Sequence, residues 1–454
     1  MSASARTAPA RSALDLAAIT AALRAHPKVA QWQVTQSRST RCERYLTFLV
    51  IESDREAAAT RWQVWLALAA RDSAAGSQQG EASFTVGAGD DAATVSERLD
   101  TAVTAAASAA NPAFQLPAPG ERGVAVQPTS PAALADAAII QDPTVAVDRL
   151  CRSYTDAVGA CPWVRPSTLE VFVTRSERRL VNHRGLDLSD RRSRVFVEFV
   201  LLHRPDGGEE VEFYDKCEGS SLDDLRLAER VAHAARCARD GAIATPSPTG
   251  AMPVVIADDY VAELLGYYAH HADAAVHARK INAFVLGQPV LTRRAGDPLA
   301  LASDPAVPSL GAYQFDDHGY APTRQELVVD DRLIGVCGSA RWMRFLGNEP
   351  AGDRGTLAAK PGSTPLQDLL SGDVLEVVRF SEFHPRSDTG AFSGEIRLAY
   401  RHHADGTRTA VKGGSVTGVI TQALADARFS RETVTIGSYH GPRAVRFASL
   451  TVAG

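Results

Sequence analysis

Residues 241–251 form the segment that most limits how this chain can fold. The segment reads Gly-Ala-Ile-Ala-Thr-Pro-Ser-Pro-Thr-Gly-Ala, and its prolines and glycines are typical of a connector rather than of a helix or strand. The chain has 454 residues, more than one domain usually contains. We therefore predict an N-terminal domain over residues 13–245 and a C-terminal domain over residues 246–454.

The part before the connector runs twice through the order helix, strands, helix. A Pro/Gly-rich stretch over residues 111–131 separates the two runs and is a possible boundary between subdomains. Alternating or continuous apolar residues predict the strands, and helical spacing of apolar residues predicts the helices. The predicted helices are 13–25 with Ser12 as N-cap, 91–110, a segment ending near 158, and 222–239; the predicted strands are 45–51, 61–68, 82–86, 169–174, 179–183, 194–203 and 210–214.

The part after the connector is richer in strands. A short buried strand at Val254–Ala257 leads into a helix predicted over residues 259–278 with Asp258 as its cap. Short strand-like segments and frequent glycines follow, with one helix near residues 417–426. The predicted fold class is α+β, with a β-rich C-terminal domain. Residues 1–12, rich in Ala, Ser and Arg, are predicted to be disordered.

Charge and composition exclude several classes of protein. The formal net charge is −5, so the basic bias of a nucleic-acid-binding protein is missing. The longest apolar runs fall well short of the ~20 residues of a membrane span, and the N-terminus has no apolar signal segment. The six scattered cysteines contain no CxxC pair and are expected to be free, mostly buried thiols. We expect a cytoplasmic protein with no membrane and no nucleic-acid partner.

The predicted helix over residues 259–278 carries the densest group of chemically active side chains. His270, His271, Asp273 and His277 lie on it, and spacings of three and four residues bring side chains to one helix face. Zinc needs three such ligands, and a zinc hydrolase also needs a general base, often a Glu beside the first His. Glu263 is the nearest Glu and lies more than a turn away. Histidines that only make hydrogen bonds therefore remain the favoured interpretation, with a metal site as the alternative.

Other candidates are weaker. Cys337 has no neighbouring His in the sequence and is interpreted as a buried structural thiol. His402 and His403 precede a turn at Asp405-Gly406 and are interpreted as solvated, while His384 beside Glu382 is ambiguous. No phosphate-binding glycine motif is present.

Several segments, in order along the chain, resemble the TldD/PmbA metallopeptidase family. Phe315-Asp-Asp-His-Gly319 followed by Leu327–Gly335 is similar to that family's "FDxxG … dGvL" hairpin, and Ser387–Ser393 is similar to its "TGDYS" turn. Each piece is short, so the order and spacing of the pieces carry the resemblance. The other segments that take part are 182–185, 253–257, 263–266, 278–280, 412–418 and 450–454.

The resemblance implies a two-lobed α+β fold and a pair of homologous subunits around an enclosed cleft. The TldD-like subunit of such a pair carries an HExxxH helix and a downstream Cys that bind zinc, and the TldE-like subunit lacks them. The pair cleaves peptides and trims amide bonds during the maturation of small natural products.

The residues at the matching positions favour the TldE-like role. Counting back from Arg279-Lys280, the first zinc His falls at Gly266, the Glu base at Tyr267 and the second His at His271. The downstream Cys falls near His440. Without the Glu, a bound water would lose its proton acceptor. We therefore expect no catalytic residue and no metal in this chain, with zinc held by a TldD-like partner.

The resemblance leaves three functions open. The favoured one is the non-zinc subunit of a heterodimeric peptidase or amidohydrolase that shapes the cleft for an extended peptide or amide substrate. The second is a metal-dependent peptidase in its own right, with His271, His277 and His440 as re-formed ligands. The third is a regulatory binding protein without hydrolytic activity. The substrate-binding residues are not predicted.

Overall fold

The chain folds into two compact units in the computed structural model, which describes residues 14–73, 76–127, 134–291 and 294–454. Unit 1 consists of Met1–Thr40, Ala57–Thr129 and Ser176–Arg191, and unit 2 consists of Arg41–Glu56, Ser130–Arg175 and Arg192–Gly454. The predicted disorder of residues 1–12 lies outside the described residues. The domain boundary predicted between residues 245 and 246 stays a prediction, because packing units and sequence domains need not share limits.

The first half of the chain carries five helices and ten strands in the described residues. They are α1 (Leu16–Ala25), β1 (Gln31–Thr47), β2 (Val50–Ala67), β3 (Arg71–Ser73), β4 (Gly76–Gln79), β5 (Glu81–Gly87), α2 (Ala92–Ala107), β6 (Asn111–Pro112), α3 (Ala137–Gln141), α4 (Pro143–Gly159), β7 (Arg165–Asn182), β8 (Asp187–His203), β9 (Val211–Gly219), α5 (Leu227–Ala242) and β10 (Thr245–Pro246).

The second half is dominated by short strands. Its elements are β11 (Gly250–Ala257), α6 (Asp259–His271), α7 (Ala274–Ala278), β12 (Leu301–Asp304), β13 (Gln325–Val329), β14 (Arg332–Leu333), α8 (Ala340–Phe345), β15 (Thr356–Ala359), α9 (Leu366–Leu369), β16 (Val374–Pro385), β17 (Ala391–His402), β18 (Arg408–Lys412), β19 (Ser415–Val419), α10 (Ile420–Ala423), β20 (Arg428–Phe429), β21 (Thr433–Ile436), β22 (Tyr439–Pro442) and β23 (Ala444–Ala453). The predicted α+β class is confirmed.

Two local predictions are corrected by the structure. The strand predicted over Tyr45–Ile51 contains the turn between β1 and β2, because Phe48 and Leu49 take positive φ values of 50° and 65°. The first helix begins at Leu16, where the Asp15 carboxylate accepts the Ala18 N–H at 2.8 Å. The predicted cap Ser12 lies outside the described residues.

The core of unit 1 lies between helices and a sheet face. In this unit β2 pairs with β5 in antiparallel register, from Arg61 opposite Gly87 to Ala67 opposite Glu81. Ile19 and Leu23 of α1 pack with Leu99 of α2 in the same core. The alternating side chains of β1 and β2 put their apolar members on this face, as period-two patterning requires.

One of the apolar cores of unit 2 includes side chains from a closed ring of strands. An eight-stranded sheet contains the order β17, β16, β11, β23 and β19, and β17 also pairs with β19, so these five strands close on themselves. Closure satisfies the backbone groups that an open edge would leave unpaired. Helix α6 contributes Leu264, Leu265 and Tyr268 to the core of this part of the unit.

A buried ion-pair network joins elements of unit 2 that lie far apart in sequence. Asp215 on β9 is only 2% exposed, and its carboxylate contacts the guanidinium of Arg379 on β16 and that of Arg230 on α5, the latter at 3.6 Å. The register of β16 shifts on both sides of Arg379, so this residue lies in a β-bulge. Bulges redirect side chains, and this one places the guanidinium at the carboxylate.

The cysteines and the helices can be compared with what the sequence predicts for them. All six cysteines lie in the described residues, and each is free and buried, as predicted. None of the described helices is long and apolar enough to cross a membrane. The helix predicted near residues 417–426 begins later, since residues 417–419 belong to β19; α10 covers Ile420–Ala423, and a 3-10 helix continues it over Leu424–Asp426.

We expect Asp215→Asn to destabilise the protein by about 3 kcal/mol, because it leaves two partly buried guanidinium groups without their buried counter-charge. Denaturant unfolding measures the change. Glu212→Gln is the matched control on the same strand, since Glu212 and Arg397 form a pair with exposed side chains, and we expect a change within about 0.5 kcal/mol. Equal unfolding midpoints for the two variants would contradict the role assigned to Asp215.

Candidate functional site

The predicted His-rich helix is two helices, not one. Helix α6 ends at His271, and Asp273 begins α7 by accepting the N–H groups of Ala275 at 2.8 Å and Val276 at 3.3 Å. The break is held by Cys337, whose N–H donates to the Ala272 carbonyl at 2.9 Å and whose carbonyl accepts from Ala274 at 2.8 Å. The three- and four-residue spacing therefore does not place His270, Asp273 and His277 on one continuous helix face.

His271 is the buried end of α6. Its side chain is 2% exposed, and its Nδ1 atom accepts the N–H of Ala283 at 3.0 Å. The imidazole ring lies 4.7 Å from the ring of Tyr267 and 5.5 Å from that of Phe284, both edge-on. Only Nε2 is left for a further ligand, and no atom of the described residues stands in good hydrogen-bonding geometry to it.

The surroundings of His271 keep it neutral. Burial lowers its pKa, and the neighbouring His270 acts in the same direction. The backbone of Ser387 partly offsets this decrease in pKa, although it lies outside good hydrogen-bonding geometry to Nε2. Burial has the larger effect on the pKa, because aromatic rings enclose the imidazole.

Gly266 and Tyr267 occupy the two positions where the resemblance expects the first zinc His and the Glu base. Glycine supplies no side-chain ligand. The Tyr267 phenol is 6% exposed, and burial raises its pKa. Its ring packs 5.3 Å from that of Tyr268 and 5.7 Å from that of Phe284.

The turn that resembles "TGDYS" packs directly on this aromatic cluster. Gly390 has φ +70°, and a Cβ atom there would lie 3.1 Å from the Tyr267 ring. Both the left-handed conformation and the close approach favour glycine. The N–H of Ile420 donates to the Gly390 carbonyl at 2.7 Å and fixes the turn beside α6.

The other two candidate ligands make contacts of their own. The Nε2 atom of His277 lies 2.8 Å from the carbonyl oxygen of His271. His440 is half-buried on β22, and its Nδ1 atom lies 2.9 Å from the Thr435 hydroxyl. In the part of the chain that the structure describes, no three His, Cys, Asp or Glu side chains form a group able to hold a metal ion.

Cys337 and the three remaining histidines contact other groups of the protein or are buried. Burial raises the pKa of the Cys337 thiol to about 12, which suits the predicted structural role rather than a nucleophile. His402 lies 2.8 Å from Glu376, and His384 lies 3.1 Å from Glu382. His403 contacts the Thr409 hydroxyl at 3.2 Å.

The aromatic enclosure of His271 is not predicted from the sequence. Phe284 and Gly390 lie outside α6, and only tertiary packing brings them to Tyr267. The glycine at position 390, inside the turn that resembles "TGDYS", is the one signal that the sequence offers.

Comparisons with known proteins agree with the segments quoted above. Residues 249–454 match the family model described as the PmbA/TldA metallopeptidase C-terminal domain. The chain carries the C-terminal domain of the TldD/PmbA family. No curated protein matches it by sequence.

The TldD/PmbA fold extends over nearly the whole chain. TldE from Thermococcus kodakarensis superposes with a TM-score of 0.75 at 17% identity, over 94% of this chain and 97% of the other. A candidate modulator of DNA gyrase from Bacteroides thetaiotaomicron superposes with a TM-score of 0.76 at 16% identity, over 96% of this chain and 97% of the other. Another candidate modulator, from Thermotoga maritima, superposes with a TM-score of 0.73 at 15% identity, over 93% of this chain and 96% of the other. At these identities the likeness establishes the fold.

We expect the stability of the protein to fall as the pH decreases below the ordinary imidazole pKa of 6.5. The pKa of His271 is lowered in the folded state, so the unfolded chain binds this proton first and the stabilisation present above pH 6.5 is lost on acidification. Melting temperatures at about pH 7.5 and about pH 5.5 test this expectation. His271→Gln should show a smaller decrease between the two conditions than the unmodified chain. An equal decrease would contradict the assignment.

Proposed function

We propose that this chain is the TldE-like, non-zinc subunit of a TldD/TldE-type heterodimeric peptidase or amidohydrolase that works in the cytoplasm. Its partner would be a TldD-like subunit that holds the zinc. This chain would complete the cleft that receives an extended peptide or amide substrate. Maturation of a peptide natural product is the activity we would test first.

The observation that carries the proposal is the donor set on α6. Zinc hydrolases use three protein ligands and leave one position for water. The positions that match the family motif supply a glycine at 266, a phenol at 267 and one imidazole at His271, whose Nδ1 atom already accepts a hydrogen bond. This set does not fit a three-ligand zinc site.

The aromatic cluster supports the same proposal. Tyr267, Tyr268, Phe284 and His271 fill the volume beside α6 with edge-to-face contacts. Such packing stabilises a structural helix. Position 267, where the motif has its Glu base, carries a phenol instead of a carboxylate. A role in shaping the cleft needs a rigid wall, which this packing provides.

The test is to purify the chain alone and together with a co-expressed TldD-like protein, and to measure zinc and peptide hydrolysis in both. We expect zinc and activity only in the complex. His271→Gln in this chain should leave the zinc content of the complex unchanged. Loss of zinc from that variant, or one equivalent of zinc in the chain alone, would instead favour the re-formed site of His271, His277 and His440.

We further expect Gly266→His combined with Tyr267→Glu to give no hydrolysis by the chain alone. The third ligand and the hydrogen bonds that orient the ligands would still be missing, and these outer contacts typically change metal affinity by about 10–100-fold. Hydrolysis and zinc content of the double variant are measured beside the single variant Tyr267→Phe. Zinc-dependent activity in the double variant would show that only two side chains separate this chain from a catalytic subunit.

A further inference from the structure

Unit 1 contains two adjoining clefts that the proposed function does not use. Their volumes are about 510 Å³ and about 470 Å³, within the usual size range of small-molecule sites. Gln36, Arg38 and Arg179 line both clefts, so the two form one continuous site. All of their lining residues belong to unit 1.

Gln36 is a largely buried residue whose amide has no partner among the described residues. It lies on β1 and is 6% exposed, and its side chain makes no hydrogen bond to any residue that the structure describes. Its amide atoms reach the solvent of the cleft, because neither is among the fully buried atoms without a hydrogen-bond partner, so a ligand can replace water there. An amide that faces a cleft in this state is suited to bind a ligand.

Arg38 is the cation available to the same ligand. It follows Gln36 by two residues on β1, so the two side chains project from the same face of the strand. Arg38 forms no ion pair within the described ranges, whereas Arg179 is held by Asp187 through contacts of 2.8 and 2.7 Å. A free guanidinium beside an amide donor matches the geometry of a carboxylate.

The acidic residues of the clefts limit the charge of the ligand. Asp187 is bound to Arg179, Asp15 caps Ala18 at 2.8 Å, and Glu177 lies 3.6 Å from the Arg191 guanidinium. These carboxylates repel a ligand with several negative charges, such as a phosphate. One carboxylate on an otherwise uncharged ligand fits the site better.

The second cleft adds an apolar wall. Leu16 and Ala17 from the first turn of α1, with Trp62 on β2 and Ala88, line it next to Arg38. A ligand therefore meets a cation, an amide and an apolar surface within one site. The last residue of a peptide presents these three features together: an α-carboxylate, a peptide bond and a side chain.

We propose that unit 1 binds the C-terminal end of a short peptide whose last residue is apolar. The α-carboxylate binds Arg38, the preceding peptide bond pairs with the Gln36 amide, and the side chain packs against Leu16 and Trp62. This inference does not depend on a TldD-like partner or on zinc, so it can fail or succeed independently of the proposed function.

Calorimetric titration of the full chain with N-acetyl-alanyl-leucine tests the proposal. We expect saturable binding of the dipeptide. The same compound with its carboxylate converted to an amide should bind with a Kd at least about 10-fold higher, because a charge-assisted contact is lost. Free leucine should bind more weakly than the acetylated dipeptide. Equal or tighter binding of leucine would overturn the assignment to a peptide, and no saturable binding of the dipeptide would overturn the site.

Two variants locate the binding. Arg38→Gln should weaken binding of the dipeptide by about 10-fold or more, while Arg61→Gln should leave it unchanged. Arg61 is an exposed arginine on β2 that precedes Trp62 and so projects from the opposite face of the strand. Equal affinities of Arg38→Gln and the unmodified chain, or an equal loss in Arg61→Gln, would overturn the proposal. Unchanged melting temperatures confirm that both variants are folded.

Discussion

Asp215 holds together segments of unit 2 that are separated by more than a hundred residues of sequence. Its buried carboxylate contacts Arg230 from α5 and Arg379 from β16. An isolated charge in such a place would be strongly unfavourable, so each partner requires the others to be present. The pairing therefore favours one arrangement of β9, α5 and β16.

Further contacts also join residues before the predicted connector to residues after it. The Tyr400 hydroxyl donates to Asp240 at 2.7 Å, and the Lys412 ammonium donates to the Gly241 carbonyl at 3.1 Å. Leu398 packs into the apolar core formed mainly by α4, α5 and the strands β7, β8 and β9. These contacts explain why residues on both sides of the predicted connector fold within one compact unit.

Helix α6 links this framework to the candidate site. At its N-terminal end the Tyr260 hydroxyl accepts the N–H of Phe380, the residue after Arg379, at 3.0 Å. At its C-terminal end His271 is enclosed by aromatic rings and the Gly390 turn. A helix fixed at both ends is a rigid scaffold. In this chain the helix carries Gly266 and Tyr267 at the positions that the resemblance aligns with the zinc motif.

The sequence by itself determined the α+β class, most of the helices and strands, the buried free thiols and the family resemblance, because apolar periodicity and turn residues are local signals. The alignment of Gly266, Tyr267 and His271 with the zinc motif stays a prediction from the resemblance. Only the tertiary structure decided that this helix ends at His271, that the bulge at Arg379 faces Asp215, and that Gln36 and Arg38 have no side-chain partner among the residues that the structure describes. These features depend on contacts between residues distant in sequence. Local periodicity does not tell which distant residue neutralises a buried charge, interrupts a helix or leaves an amide facing a cleft.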